Sequence, residues 1–107
     1  MIVDKNVDIE RKKIRKIVMP YFKKELEKFM FEQQSKQNWI DITRLSNKFL
    51  IKCQYDGLFK NYKVTCNGKN NSLNSSELNL KIIISGNLSK YEYNFKILNS
   101  DIVFEDK

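Results

Sequence analysis

The sequence predicts an α+β fold: a basic helical segment followed by a meander of five or six antiparallel strands, in a single domain over residues 1–107. Three observations carry this reading. Apolar residues recur at helical spacing between Asp8 and Gln34. From Trp39 onward apolar and polar residues alternate, the period of a half-buried strand. Turn-forming pairs divide the alternating runs at regular intervals. Helix first and strands afterwards argue for an antiparallel sheet covered on one face.

Within the helical segment Ile14, Ile17, Val18 and Tyr21 share one face, and Phe22, Leu26, Phe29 and Met30 repeat the pattern. The second stripe is rotated from the first by roughly 100°, one residue of helix. Pro20 lies at the join, where its ring removes one backbone hydrogen bond. A kink, or a break into two helices, would bring both stripes onto one sheet.

Seven cations (Arg11, Lys12, Lys13, Arg15, Lys16, Lys23 and Lys24) lie between Glu10 and Lys24, opposed there by Glu10 alone. This one segment holds most of the chain's net charge of +7. One reading is a solvated face whose long side chains shield the edges of the core. A second is a surface for polyanions. A membrane-surface helix is disfavoured, because the apolar stripe already has a sheet to cover.

After the helix, Ser46-Asn47 as a turn sets Ile42 opposite Ile51 and Ile40 opposite Cys53. Asp56-Gly57, a preferred type I′ pair, sets Tyr55 against Leu58, Ile51 against Tyr62 and Phe49 against Val64. Asn67 to Ser76 reads as a mobile polar loop, too polar to pack, that divides the sheet in two. Leu78, Leu80, Ile82 and Ile84 then alternate. A Gly86-Asn87 turn pairs Ile82 with Tyr91, Leu80 with Tyr93 and Leu78 with Phe95. Asn99-Ser100 sets Ile97 opposite Ile102 and Phe95 opposite Phe104, before a frayed tail at Glu105-Asp-Lys.

This element order is similar in outline to cystatin-like and NTF2-like folds, in which a helix crosses a curved antiparallel sheet. Gln54-Tyr55-Asp56-Gly57 is one residue short of the cystatin Gln-x-Val-x-Gly hairpin and lacks its Val, so no inhibitory activity carries over.

The composition bounds the chemistry. There is no histidine, which removes the commonest general base and the usual zinc sites. Phosphate-binding glycine loops are missing too. Cys53 and Cys66 match no metal or redox spacing and read as buried apolar side chains rather than a disulfide. No cofactor or metal is expected, and no enzymatic activity. Met1-Ile-Val-Asp-Lys-Asn lacks the pattern of a signal peptide, and no apolar run approaches a membrane span, so a cytoplasmic protein is expected.

The outward strand face carries Trp39, Leu45, Leu50, Phe59, Ile83, Leu88, Leu98 and Val103. Clustered, they would mark a partner or homodimer interface, with Trp39 as its anchor. The expected function is therefore a small binding module, an inhibitor or adaptor that docks on an acidic protein surface or a nucleoprotein complex. A phage or mobile-element inhibitor of a nucleic-acid-processing enzyme fits that description. Its contacts are expected from Arg11, Lys12, Lys13, Arg15, Lys16 and Lys23, with Trp39, Leu50 and Phe59 from the sheet. Direct non-specific nucleic-acid binding is the alternative, and a subunit of a secretion- or conjugation-type assembly a third.

Overall fold

The computed structural model describes residues 4–106; Met1, Ile2, Val3 and Lys107 lie outside the described residues. Two helices, α1 (Lys5–Leu26) and α2 (Lys36–Tyr55), pack on one face of a four-stranded antiparallel sheet. The strands are β1 (Asn61–Thr65), β2 (Leu78–Ser85), β3 (Lys90–Ile97) and β4 (Ile102–Asp106), in the order β1-β2-β3-β4. The α+β class stands. The expected five or six strands are four, and with a second helix in the cover the cystatin-like or NTF2-like outline is not confirmed.

Helix α1 starts earlier than its periodicity suggests, because Asp4 caps it. The Asp4 carboxylate accepts from the backbone of Asn6 (2.9 Å) and Val7 (3.4 Å), contributing about 1 kcal/mol. The buried stripe is Ile14, Val18, Phe22 and Leu26, all fully inaccessible. Each burial stabilises by roughly 1.5–3 kcal/mol. Steps of four residues turn the stripe by about 40° each, so it winds around the helix as the sheet twists beneath it. That winding absorbs the offset between the two stripes, and α1 runs through Pro20 without a break. Pro20 is exposed, so water can reach the Lys16 carbonyl that it leaves without an amide. The helix ends at Leu26 rather than Gln34; a 3₁₀ turn at Glu27–Phe29 follows, and Phe31 turns the chain with φ 67°.

The largest correction is α2. Both strands of the expected Ser46-Asn47 hairpin are one helix. Trp39, Ile42, Ser46, Leu50 and Cys53 are its buried residues, at steps of three and four. The short alternation Trp39-Ile-Asp-Ile satisfies both periods, and the longer spacing decides. Ser35 caps the helix through its side chain to the Asn38 amide (3.0 Å). Ser46 tolerates full burial because its hydroxyl donates to the Ile42 carbonyl at 2.6 Å.

Asp56-Gly57 is accordingly a helix stop and not a hairpin turn. Gly57 has φ 85°; its amide donates to the Gln54 carbonyl (3.0 Å) and the Leu58 amide to the Cys53 carbonyl (3.0 Å). This is the Schellman arrangement, which needs the left-handed conformation that glycine adopts without strain.

In the sheet, β1 pairs directly with β2, Tyr62 facing Ile84 and Val64 facing Ile82. The polar loop thus joins neighbouring strands instead of dividing the sheet. Nor is it too polar to pack. Asn70 donates to the Thr65 carbonyl (2.9 Å), Asn71 donates to the Asn79 carbonyl (3.0 Å), and the Asn79 amide donates back to Asn71 Oδ1 (2.6 Å). The β2–β3 register is shifted by two residues from expectation: Ile84 faces Tyr91, Ile82 faces Tyr93, Leu80 faces Phe95 and Leu78 faces Ile97. The loop between them is Gly86 to Ser89, closed by the Gly86 amide on the Ser89 carbonyl (2.8 Å). The β3–β4 register is as expected, with Ile97 opposite Ile102 and Phe95 opposite Phe104. The expected frayed tail is strand as far as Asp106, which pairs with Tyr93.

Candidate binding surfaces

The helices form the outer layer, and charge collects there. On α1 the buried residues occupy positions 14, 18, 22 and 26, so positions 12, 16, 20 and 24 point the opposite way. That outward ridge is Lys12, Lys16, Pro20 and Lys24, with Lys28 exposed in the 3₁₀ turn that follows. Lys12 pairs with Asp8 one turn earlier (3.0 Å) and Lys28 with Glu25 (2.6 Å). The Glu25 hydrogen bond also raises the Lys28 pKa. Lys16 and Lys24, both exposed, have no ion pair among the described residues.

The other basic residues of α1 are spread over its two flanks. Arg11 lies over the Tyr91 ring at 6.0 Å; Arg15 lies over Phe104 at 5.3 Å and reaches Asp106 at 3.9 Å. Lys23 borders a depression with Ser100 and Asp101 at the β3–β4 turn. Lys13, on the opposite flank, lies near Gly57 and Leu58 at the end of α2. All six cations expected at the site are exposed, but only Lys12 and Lys16 share the outward ridge. Lys24 completes it, and Lys28 follows in the 3₁₀ turn; the i, i+4 spacing of these lysines is visible in the sequence once Ile14 to Leu26 is taken as the buried stripe.

The three apolar residues expected at the site lie elsewhere. Trp39 is 7 % exposed, Leu50 0 % and Phe59 3 %, all within the core. Strand alternation places them outward; in the folded chain Trp39 and Leu50 belong to the inner face of α2, and Phe59 lies in the connection before β1. Ile83 and Leu98 are half-buried, Leu45 packs against the core, and of that set only Leu88 and Val103 are exposed large apolar residues. The open face of the sheet carries polar residues, with Lys81 paired to Glu92 (3.5 Å) and Lys96 to Glu77 (3.7 Å).

A second feature was not anticipated. Lys36, Ile40, Thr43, Arg44 and Asn47 line the free flank of α2, where they face Cys66, Asn67 and Gly68 across a groove of about 740 Å³. Trp39 forms its floor, its indole N–H donating to Gln34 Oε1 at 2.7 Å while Gln34 donates to the Glu77 carbonyl. The Thr43 hydroxyl lies 2.8 Å from the Trp39 carbonyl and 3.3 Å from that of Cys66, so it ties the helix to the opposite wall. Once α2 is read as a helix, positions 36, 40, 43 and 47 form one stripe.

Both cysteines are buried and unpaired. Burial pushes the Cys66 thiol up to about 12 despite a hydrogen bond from Asn71, and burial raises Cys53 as well. Neither has the lowered pKa of a nucleophilic thiol. Among the described residues no three His, Cys, Asp or Glu side chains converge as a metal site, and no helix is long and apolar enough to cross a membrane. No family model, curated protein or solved structure matches the chain.

Proposed function

We propose that this chain is a small non-enzymatic binding module, an inhibitor or adaptor, that docks the outward ridge of α1 on an acidic macromolecular surface. The observation that carries this reading is the pair Lys16 and Lys24, exposed on that ridge with no carboxylate partner among the described residues. Lys12 extends the ridge and Lys28 lies just past its end, and their own carboxylate pairs are at the surface, where such contacts are worth little. Electrostatic steering toward an acidic partner follows from a charge layer of this kind.

An acidic protein surface suits the ridge better than single-stranded nucleic acid. Base stacking needs aromatic rings exposed beside the cations; Trp39, Tyr91 and Tyr93 are buried, and the exposed rings of Phe31 and Tyr55 lie past the end of α1 and at the end of α2, off the ridge. Direct nucleic-acid binding by the ridge would run through phosphate contacts and depend steeply on salt.

The test compares the native chain with Lys16→Glu/Lys24→Glu, in fluorescence anisotropy with labelled duplex DNA, single-stranded DNA and RNA, and in affinity capture from cell extract. A captured partner that the variant loses, with weak nucleic-acid binding by both chains, supports protein docking. Tight binding to nucleic acid that collapses between low and near-physiological salt reassigns the ridge to phosphate. An unchanged partner profile in the folded variant overturns both.

A further inference from the structure

The groove on α2 lies on a different helix from the lysine ridge and has a different chemistry. Its exposed helical wall includes Ile40, which leaves 49 % of its surface in solvent, and Trp39 lies beneath. Across from them is Gly68, at which an added Cβ would lie 3.8 Å from Trp39 Cζ3, ordinary contact distance; the missing side chain keeps the groove open. Its volume is within the range of small-molecule sites, which combine an apolar lining with a few polar groups.

The charged groups of the groove are all of one sign. Lys36 and Arg44 line it two turns of helix apart, about 12 Å. No carboxylate lines it, and neither cation has an ion pair among the described residues. Thr43, Asn47 and Asn67 add hydrogen-bonding groups.

From this combination we infer that the groove binds small apolar carboxylates, the hydrocarbon body lying over Trp39 and Ile40 and the carboxylate held by Arg44 or Lys36. An amphiphilic anion satisfies both halves of the site. A neutral apolar molecule leaves the cations unused, and an amphiphilic cation is repelled by them.

Trp39 is the single tryptophan, so its emission reports directly on the groove. The full chain is titrated with decanoate, below its aggregation threshold, and in parallel with decanol. Decanoate is expected to change the emission saturably, with decanol and the Lys36→Glu/Arg44→Glu variant each at least about tenfold weaker. Both substitutions are at exposed positions, and Glu at the first turn of a helix is favoured, so the fold should persist. Gly68→Leu, which fills the groove without altering charge, should abolish the response as a second check. Lys16→Glu/Lys24→Glu should leave it unchanged, which separates this site from the α1 ridge. Equal binding of decanol, retained decanoate binding by either groove variant, loss of binding in the α1 variant, or no saturable change would each overturn the inference.

Discussion

The Glu10 carboxylate accepts a 2.7 Å hydrogen bond from the Tyr91 hydroxyl, which clasps the first half of α1 to β3. The same carboxylate accepts from the backbone amides of Asn87 (2.9 Å) and Leu88 (3.1 Å), so it also caps the β2–β3 loop. One acidic residue in a basic segment thus has a structural role, and its charge is already engaged.

Glu10 should make stability fall with acid. Burial alone would raise its pKa; the hydrogen bonds from Tyr91, Leu88, Asn87 and Ser89 together outweigh burial and hold it below its ordinary 4.5. A carboxylate with a depressed folded pKa contributes its stability above the unfolded value, and that contribution is lost as pH falls through 4.5 toward the folded value. Glu10→Gln should flatten this acid limb and cost on the order of 1–2 kcal/mol at neutral pH. Urea midpoints measured from neutral pH to below 4 test both; an unchanged acid limb in Glu10→Gln would assign the pH dependence elsewhere.

Gly86 should not tolerate alanine. A Cβ there would run into the Glu10 carboxylate and lie 2.9 Å from Tyr91 Cε2, two groups already locked to each other. Gly86→Ala is expected to destabilise by about 1–3 kcal/mol, the usual range for overpacking. In the Glu10→Ala background the penalty should shrink, and a double-mutant cycle in denaturant measures the coupling.

Replacing Pro20 should stabilise the chain. The residue removes one backbone hydrogen bond from a helix that runs on through it, at an exposed position where no packing compensates. Pro20→Ala restores an amide donor for the Lys16 carbonyl and is expected to gain roughly 1–3 kcal/mol. Thermal unfolding with matched far-ultraviolet dichroism reads the gain; a lower midpoint would mean that the fixed φ of proline stabilises α1 by more than the missing hydrogen bond costs.

The thiols should be silent in the folded chain. With Cys66 pushed up to about 12, roughly one molecule in ten thousand carries its thiolate at pH 8. Iodoacetamide at that pH should label neither cysteine natively and both in guanidinium; rapid native labelling would show that the core opens readily.

How far the fold could be read from the sequence depended on whether one period excluded the other. Leu78 to Ile84 alternates over a length that a helix cannot match, and the turn at Asn99-Ser100 allows only one pairing, so β2, β3, β4 and the last register were legible. Trp39 to Leu45 fits both periods, and what settles it lies outside the run: Ser35 as a cap, and the buried line continuing to Cys53. Asp56-Gly57 supplies a left-handed glycine, which ends a helix as readily as it reverses a strand. The β2–β3 slip escaped because Gly86-Asn87 suits a two-residue turn, while the Glu10 clasp and the Gly86–Ser89 closure favour a longer one. The cationic character of α1 was plain, but which lysines share a ridge was not, since that depends on which of two candidate stripes is buried. Strand alternation hides the groove on α2, because it puts Lys36, Ile40, Thr43 and Asn47 on no common face.

The sheet is a meander, so its strands pair with their neighbours in chain order, while α1 must find β3 and β4 at the far end of the chain. During synthesis the Ile14 to Leu26 stripe is made long before the strands that cover it. Closing so long a loop carries an entropic cost that rises only slowly with length, but it must be met before the contacts return anything. The rate-limiting event in folding is therefore expected to be the landing of α1 on an already formed β3–β4 hairpin, with the Glu10 clasp closing afterwards. Until then the apolar stripe of the first helix lacks its sheet, and α2, whose Phe49 meets Phe22 and Tyr21, is the earlier partner available to it.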